Sequence, residues 1–547
     1  MSETLREGSR ARAVIGAAFM RLVALRERMG RLSGWRALAA NIVAGAVAAA
    51  SFAPVYFWPG LPVGFAVFFW SLDAARVGPK PARAGALRGW AFGFGYFLVS
   101  TYWMSFSMLV QAEQFAWMMP IAILGMPTFL GVFIAAAGAI AARVSGGSAR
   151  RMLALIFAFS LMEYARGHVL TGLPWNLVGQ ALAAQAAPIQ LAAYIGPYGL
   201  SLVLIAIALL PALAGYAPGP KRAFLPILVS AASVFGLYGL GLARLAFHPI
   251  ADRTDAVVRV VQPSIPQREK IDPDFYWANL DRNLALSAAP TMPDVETFIL
   301  WGENGAPLLG DFPQARDYIS ARLPAGSTLL AGAVRQIEKD GVERYTNGLV
   351  AVDADSADVL DVYDKHHLVP FGEYLPFETP LRAIGLSQLA PFEDGLVPGP
   401  GPRTLDIAGV RLAPMICYET IFPGSVYPRG DRPEWIAIVT NDGWYGDSSG
   451  PRQHLDQARL RAVENGLPIA RAANTGVSTM IDPYGRYRAR IDLYQEGYFD
   501  AVLPKPASAT LYSMFGDALY ALLMLILGAM IVAWARLRAL TARLLAH

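Results

Sequence analysis

The 547-residue sequence has a single cysteine, so no intramolecular disulfide can form and a Cys-rich metal site is excluded. Histidine is nearly as scarce: the six are scattered, and no His-x-x-x-His spacing places two imidazoles on one helix face. A structural zinc site is therefore not expected. Charged residues make up only 16% against 54% apolar, with mean hydropathy +0.37. A disordered chain shows the opposite balance, and an ordinary soluble globule carries more charge. Acidic residues are missing unevenly. Residues 1–249 hold 6 Asp/Glu against 19 Lys/Arg, whereas residues 250–547 hold 36 against 27. That division predicts a basic membrane half joined to an acidic, water-facing half. No internal repeat or low-complexity tract is present.

Crossing roughly 30 Å of hydrocarbon takes about 20 residues of helix. Seven candidate spans fall at about 37–53, 60–75, 88–108, 117–142, 152–165, 191–215 and 222–243, with an eighth at about 518–535. Their many Gly and Ala residues would let helices approach closely in lipid, where no hydrophobic force draws them together. Loop charge sets the orientation. The leader and alternate loops carry 17 basic residues, among them Arg6 to Arg36, Arg76, Lys80, Arg143, Arg150 and Lys221, while the opposite loops offer only Arg166. Positive charge stays in the cytoplasm. The N-terminus is thus expected inside, residues 250–510 outside, and the tail bearing Arg536, Arg538 and Arg543 inside again.

The Arg-rich leader does not read as a cleavable signal. Its stretch Val14–Leu32 fits either an amphipathic helix on the anionic inner leaflet or a frayed basic tail. Glu163 and Arg166 have ion-pair spacing, which fits either a functional pair at membrane depth or interfacial anchoring. Trp58, Trp90, Trp103, Trp117 and Trp175 fall near span ends, as an aromatic belt would place them.

From Val257 the texture changes to short β-branched runs: Val257–Val261, Thr297–Trp301, Thr328–Ala333, Asn347–Val352, Val410–Ile416, Trp435–Thr440, Ile469–Ala472 and Thr479–Asp482. Helical patterns lie between them at about 274–288, 312–322 and 451–466, which predicts an α/β or α+β domain. Three polar groups stand just past apolar strands. Glu303 follows Thr-Phe-Ile-Leu-Trp-Gly; Lys365 lies in Tyr363-Asp-Lys-His-His-Leu-Val-Pro-Phe-Gly-Glu-Tyr with Glu373; Cys417 ends Leu412-Ala-Pro-Met-Ile and precedes Tyr418 and Glu419. Alone, each has a bland reading: a buried small hydrophobe, a surface lysine, a turn carboxylate. Together, if their strands were neighbours in one sheet, they would converge at one edge.

Nucleophilic catalysis by a thiol asks for these three groups. A thiol with pKa about 8.5 needs a base to become a nucleophile. Glu303 can take that proton and return it to a leaving group. A lysine cation favours thiolate and tetrahedral oxyanion, with the backbone N–H just after the cysteine as second donor.

These motifs together resemble the nitrilase (carbon–nitrogen hydrolase) superfamily, and the membrane framing resembles its apolipoprotein N-acyltransferase family. The resemblance implies a polytopic α-helical membrane domain of about eight transmembrane helices plus an α-β-β-α sandwich, nitrilase-like extracytoplasmic domain. It implies Glu303 as general base, Lys365 as catalytic lysine and Cys417 as acylated nucleophile. Glu373 would orient the lysine and substrate, Tyr418 and Glu419 would flank the nucleophile, and Trp444 of Asn441-Asp-Gly-Trp-Tyr-Gly would line a lipid-facing pocket. Asn347 falls in an element that departs from the family's Tyr-Asn-Ser as Thr346-Asn347-Gly348, and Gly302 replaces a usual proline. Gly172-Leu-Pro-Trp175 and Phe52-Ala-Pro54 resemble signatures of the membrane half.

The implied reaction moves an acyl chain from a phospholipid, expected to be phosphatidylethanolamine, through a Cys417 thioester. The acceptor is the α-amine of the N-terminal S-diacylglyceryl-cysteine of an apolipoprotein. No cofactor, metal or nucleic acid is implied; the partners are diacylated apolipoproteins and membrane lipid, and the chain is expected to be a monomer in the bacterial inner membrane. The organisation expected is a leader at 1–36, a seven-helix domain at 37–249, a periplasmic catalytic domain at 250–510 and a final span and tail at 511–547. A membrane-tethered amidase or nitrilase acting on small C–N substrates would use the same triad and stays open at this point. A transporter is disfavoured, because the spans lack intramembrane carboxylates, lysines and a repeat.

Overall fold

The computed structural model describes residues 2–292, 294–383, 395–424 and 426–544, and the side chains of Arg6, Arg10, Arg12, Arg538 and Arg543 lie outside what it describes. The chain divides into two units. One comprises Met1–Ser105, Trp117–Arg244 and Phe515–His547; the other comprises Phe106–Ala116 and Leu245–Met514.

The first unit is helical. Its main helices are Ser2–Arg31, Gly34–Ala49, Gly60–Val77, Pro81–Thr101, Met119–Arg143, Ser148–His168, Ala192–Leu209, Pro220–Phe247 and Ala518–Leu544. Among the described residues four stretches are long and apolar enough to cross a membrane: Gly60–Val77, Ala112–Arg143, Ala192–Tyr216 and Pro220–Phe247. Gly34–Ala49 and Ala518–Trp534 are apolar but shorter. The spans expected at 88–108 and 152–165 are helical over Pro81–Thr101 and Ser148–His168, where arginines interrupt the apolar run. Small residues permit close packing, as expected in lipid. A Cβ on Gly85 would lie 2.4 Å from the Gly138 carbonyl oxygen, and one on Gly138 equally close to that of Gly85.

Glu163 and Arg166 are both buried, with 4.0 Å between Oε1 and Nη2. Arg166 donates to the carbonyls of Leu173 and Trp175, while the Val178 N–H donates to Glu163 at 2.8 Å. The pair therefore ties down the Gly172-Leu-Pro-Trp175 segment from inside rather than anchoring an interface. Trp103 and Trp175 are likewise buried, with ring centroids 4.7 Å apart, so these two depart from the expected belt. Trp117, 65% exposed, remains compatible with it.

Twelve strands are found among the described residues of the second unit: β1 (Asp252–Gln262), β2 (Glu296–Trp301), β3 (Ser327–Lys339), β4 (Val342–Asp353), β5 (Val359–Asp364), β6 (Leu405–Ile407), β7 (Val410–Ile416), β8 (Trp435–Thr440), β9 (Ile469–Ala473), β10 (Ser478–Ile481), β11 (Tyr487–Ile491) and β12 (Gly497–Pro504). They form two six-stranded sheets, ordered β12-β1-β2-β3-β4-β5 and β11-β10-β9-β8-β7-β6. The strands β1, β2 and β3 run parallel, as do β7, β8 and β9.

The pleat sends alternate side chains to opposite faces. On β2, Phe298 and Leu300 join a cluster with Leu412, Trp435 and Val439 of the other sheet, and the Phe298 and Trp435 rings lie 5.6 Å apart. Ile299 and Trp301 face the opposite way, toward Leu280 and Leu284 of helix Tyr276–Ser287 and Ile319 of helix Pro313–Ser320. On the second sheet, Ile436 and Ile438 pack against Ala458 and Ala462 of helix Ser449–Asn465. Burial on both faces explains why these strands read as unbroken apolar runs.

Candidate active site

Three strand ends deliver the three reactive groups. Beyond β2, Gly302 leads into Glu303, which is buried. Gly332 of β3 runs beneath this turn, and a Cβ there would lie 2.5 Å from the Glu303 Cα; only a hydrogen fits. Beyond β5, the Lys365 N–H donates to the Asn347 carbonyl of β4 at 2.7 Å, extending the pairing by one residue and fixing the fully buried lysine. Beyond β7 the chain turns abruptly at Cys417, whose φ of 49° is a left-handed conformation that a non-glycine residue adopts at a cost. Cys417 opens the short 3₁₀ turn Cys417–Ile421 and is half-buried.

The three strands are not neighbours. β2 and β5 belong to one sheet, separated by β3 and β4, while β7 belongs to the other. The groups meet across facing sheets, not along one sheet edge. The Lys365 Nζ lies 2.8 Å from Glu373 Oε1 and 3.5 Å from Glu303 Oε1. Asn347 Nδ2 donates to both carboxylates, at 2.7 Å to Glu303 and 3.0 Å to Glu373, and the Val369 N–H donates to Glu373 Oε2 at 2.7 Å. Asn347 and Glu373 thus belong to the same cluster as Glu303 and Lys365.

Electrostatics assigns the resting protonation. Burial alone would lower the Lys365 ammonium, but Glu373, then Glu303, hold it well above the usual lysine range. Burial, then the Glu303 carboxylate, pushes the Cys417 thiol far up, while Lys365 and a hydrogen bond with Thr440 pull it down. Both directions favour a charged lysine and a neutral thiol at rest.

Glu419 is a staple. Its Oε1 accepts from the Tyr363 hydroxyl and the His366 N–H, both at 2.8 Å, and from the His367 N–H at 3.3 Å; its Oε2 accepts from the Ile416 N–H at 2.8 Å. It joins the segment after β5 to the end of β7, and so Lys365 to Cys417. Tyr418 packs edge-on to Phe422 at 5.2 Å. Trp444 lies half-buried in the turn Asp442–Tyr445, and among the described residues no ring contact or hydrogen bond joins it to the triad.

Four further residues surround the cluster that sequence reasoning had not singled out. His454 Nε2 lies 3.0 Å from the Cys417 carbonyl, His454 Nδ1 lies 2.8 Å from Asp442 Oδ1, and Arg471 donates to Asp442 Oδ2 at 2.7 Å. Burial alone would raise the Asp442 carboxyl, but Arg471 and His454 hold it far below the usual range. Arg471 carried a signal, a charge inside the apolar run Ile469–Ala473; His454 and Asp442 carried none by themselves. The fourth, Lys270, donates to the Asn304 carbonyl at 2.8 Å, and burial brings its ammonium down to about 8 against the pull of Glu303. Among the described residues no group of three or more His, Cys, Asp or Glu could hold a metal ion.

Residues 44–210 match the family model of the apolipoprotein N-acyltransferase N-terminal domain, and residues 324–509 match that of carbon-nitrogen hydrolase. An apolipoprotein N-acyltransferase of Rhodopseudomonas palustris is 38% identical over 502 residues, covering 88% of this chain and 92% of that protein. One of Brucella suis is 40% identical over 492 residues, covering 87% and 91%. A solved CN-hydrolase superfamily protein of Xanthomonas campestris aligns at 18% identity and TM-score 0.31, over 49% of this chain and 97% of that one. With two matched domains in the order of the helical and the sheet-bearing units, and relatives alike over nearly their whole length, the chain belongs to the apolipoprotein N-acyltransferase family.

Proposed function

We propose that this chain transfers an acyl group from a phospholipid to the N-terminal amine of diacylated apolipoproteins by way of a thioester on Cys417. The observation that carries the reading is the buried carboxylate–ammonium–thiol cluster, with Lys365 between Glu303 and Glu373 and within Coulombic reach of Cys417. As the Cys417 sulfur attacks the ester carbonyl, Glu303 takes the thiol proton. Lys365 and the Tyr418 N–H receive the oxyanion. Collapse breaks the ester C–O bond, and Glu303 returns the proton to the departing lysophospholipid. In the second half the apolipoprotein amine attacks the thioester, Glu303 accepts a proton from nitrogen, and the released thiolate regains it. An amide replaces the thioester and no cofactor is consumed.

The donor in this reading is the sn-1 ester of phosphatidylethanolamine, and the chain works as a monomer. Eight helices span the bacterial inner membrane in residues 37–249 and 511–547; residues 1–36 lie in the cytoplasm, and residues 250–510 form an α-β-β-α sandwich in the periplasm. The loop-charge asymmetry supports this orientation. A membrane-held site also suits two membrane-anchored substrates and keeps water, the competing nucleophile, away from the thioester.

The test is the mass of Cys417 after incubation of the full-length protein with phospholipid micelles. A long-chain acyl adduct that is discharged by a diacylated lipopeptide is expected, and Cys417→Ala should abolish both adduct and product. Lipopeptide acylation persisting in Cys417→Ala would overturn the reading.

A further inference from the structure

His454, Asp442 and Arg471 are almost wholly buried behind the nucleophile, at 3%, 2% and 0% exposure, and the mechanism above gives them no task. Their hydrogen bonds run in one row to the nucleophile's own carbonyl. The Cys417 carbonyl can only accept, and so can the ionised Asp442 carboxylate. His454 faces the first at 3.0 Å with Nε2 and the second at 2.8 Å with Nδ1. Both ring nitrogens therefore face acceptors, and Nε2 is set to donate to the Cys417 carbonyl. Arg471 completes the row, donating to Asp442 Oδ2 at 2.7 Å and to the Val477 carbonyl. Its Nη2 also lies 3.3 Å from His454 Nδ1. Thr440 adds a bond to Asp442 Oδ1 at 3.3 Å.

The His454 ring touches one particular peptide. Among the described residues Ala53–Pro54 is the one cis bond, so Cys417–Tyr418 is trans. In a planar trans peptide the C=O and N–H point in opposite directions. A donor clamped on the Cys417 oxygen thereby sets the direction of the Tyr418 N–H, and drawing electron density toward that oxygen makes the N–H a stronger donor. It also steadies the left-handed backbone at Cys417.

We propose that the buried row Arg471–Asp442–His454 acts through the Cys417 carbonyl, fixing and polarising the Cys417–Tyr418 peptide so that its N–H stabilises the acyl oxyanion. His454 is a positioning residue, not a proton carrier. The proposal rests on the acyl-transfer reading of the same site.

The test compares two reactions of one sulfur in the full-length protein in micelles. Acylation by phospholipid builds an oxyanion, whereas alkylation by iodoacetamide does not; the ratio of the two rate constants cancels effects on thiol availability. In His454→Leu the ratio should fall about tenfold or more, less than the 10²–10³ lost when an oxyanion donor is removed outright. Asp442→Asn, which keeps the shape and removes the negative charge beside the ring, should lower it by a smaller factor and serves if His454→Leu does not fold. A ratio unchanged in these variants, with both reactions slowed together or neither slowed, would overturn the proposal and leave the thioester reading intact. A wild-type protein that takes up iodoacetamide but never an acyl chain would overturn the thioester reading instead.

Discussion

The Lys365 ammonium sits closer to Glu373, at 2.8 Å, than to Glu303, at 3.5 Å. In the proposed mechanism Glu373 neutralises the buried cation, and Glu303 takes the proton from Cys417. Glu373→Gln removes that neutralising charge and leaves Lys365 to pair with Glu303 alone, so the ammonium engages the carboxylate that the thiol needs. Acylation of Cys417 should slow by about 10²-fold, the range that a positioned general base contributes. Single-turnover thioester formation, followed by mass, measures it; a rate within twofold of wild type would contradict the division of labour.

Stability should respond to acid through two carboxylates. Burial works against ionisation of Asp442 and Glu419, but Arg471 with His454 in one case, and His366 with the Ile416 N–H in the other, hold both pKa values below those of the unfolded chain. A carboxylate depressed in the folded state contributes stability in full above its unfolded value, about 4, and loses it as pH falls through the folded value. Melting temperature should therefore begin to drop near pH 5 and fall most steeply below about pH 4. Asp442→Asn should melt lower than wild type at neutral pH yet lose less over that acid interval.

The inner strands of both sheets were legible in the sequence; the rims were not. The eight apolar runs all became strands: β1 to β4 and β7 to β10. The four strands absent from that reading, β5, β6, β11 and β12, are the four sheet edges. Edge strands carry charge and polarity to discourage pairing with other chains, and Tyr487-Arg-Ala-Arg-Ile491 or Val359-Leu-Asp-Val-Tyr-Asp364 gives no buried-strand pattern for that reason. The candidate groups Glu303, Lys365 and Cys417 stood out because each stands where an apolar run stops. Their supports did not, because His454 and Asp442 acquire meaning only through a carbonyl 37 residues from His454.

Gly332 tests whether the Glu303 turn is sterically set. A methyl there must displace backbone, since its nearest neighbours would be the Glu303 Cα at 2.5 Å and the Gly302 oxygen at 2.7 Å. Gly332→Ala should cost about 1–3 kcal/mol in overpacking. Its acyl-transfer rate should fall by more than the loss of folded protein explains. Thermal unfolding and active-site titration on one preparation separate the two effects.

Glu419 makes the sharpest distinction between holding a site and performing its chemistry. Each of its carboxylate oxygens accepts from backbone N–H groups, Oε1 from His366 and His367 and Oε2 from Ile416. In Glu419→Gln one of those oxygens becomes an NH₂ facing a donor, and neither orientation of the amide avoids it. An unsatisfied buried donor costs about 1–3 kcal/mol. Relief of the clash would part the segment bearing Lys365 from the turn bearing Cys417. The variant should bind phospholipid with little change in KM while kcat falls, because the lost interaction aligns reacting groups and does not contact the donor. Glu419→Asp keeps four acceptor lone pairs on a shorter arm and should recover part of kcat. A glutamine variant with wild-type kcat would show that Lys365 and Cys417 are aligned by other contacts.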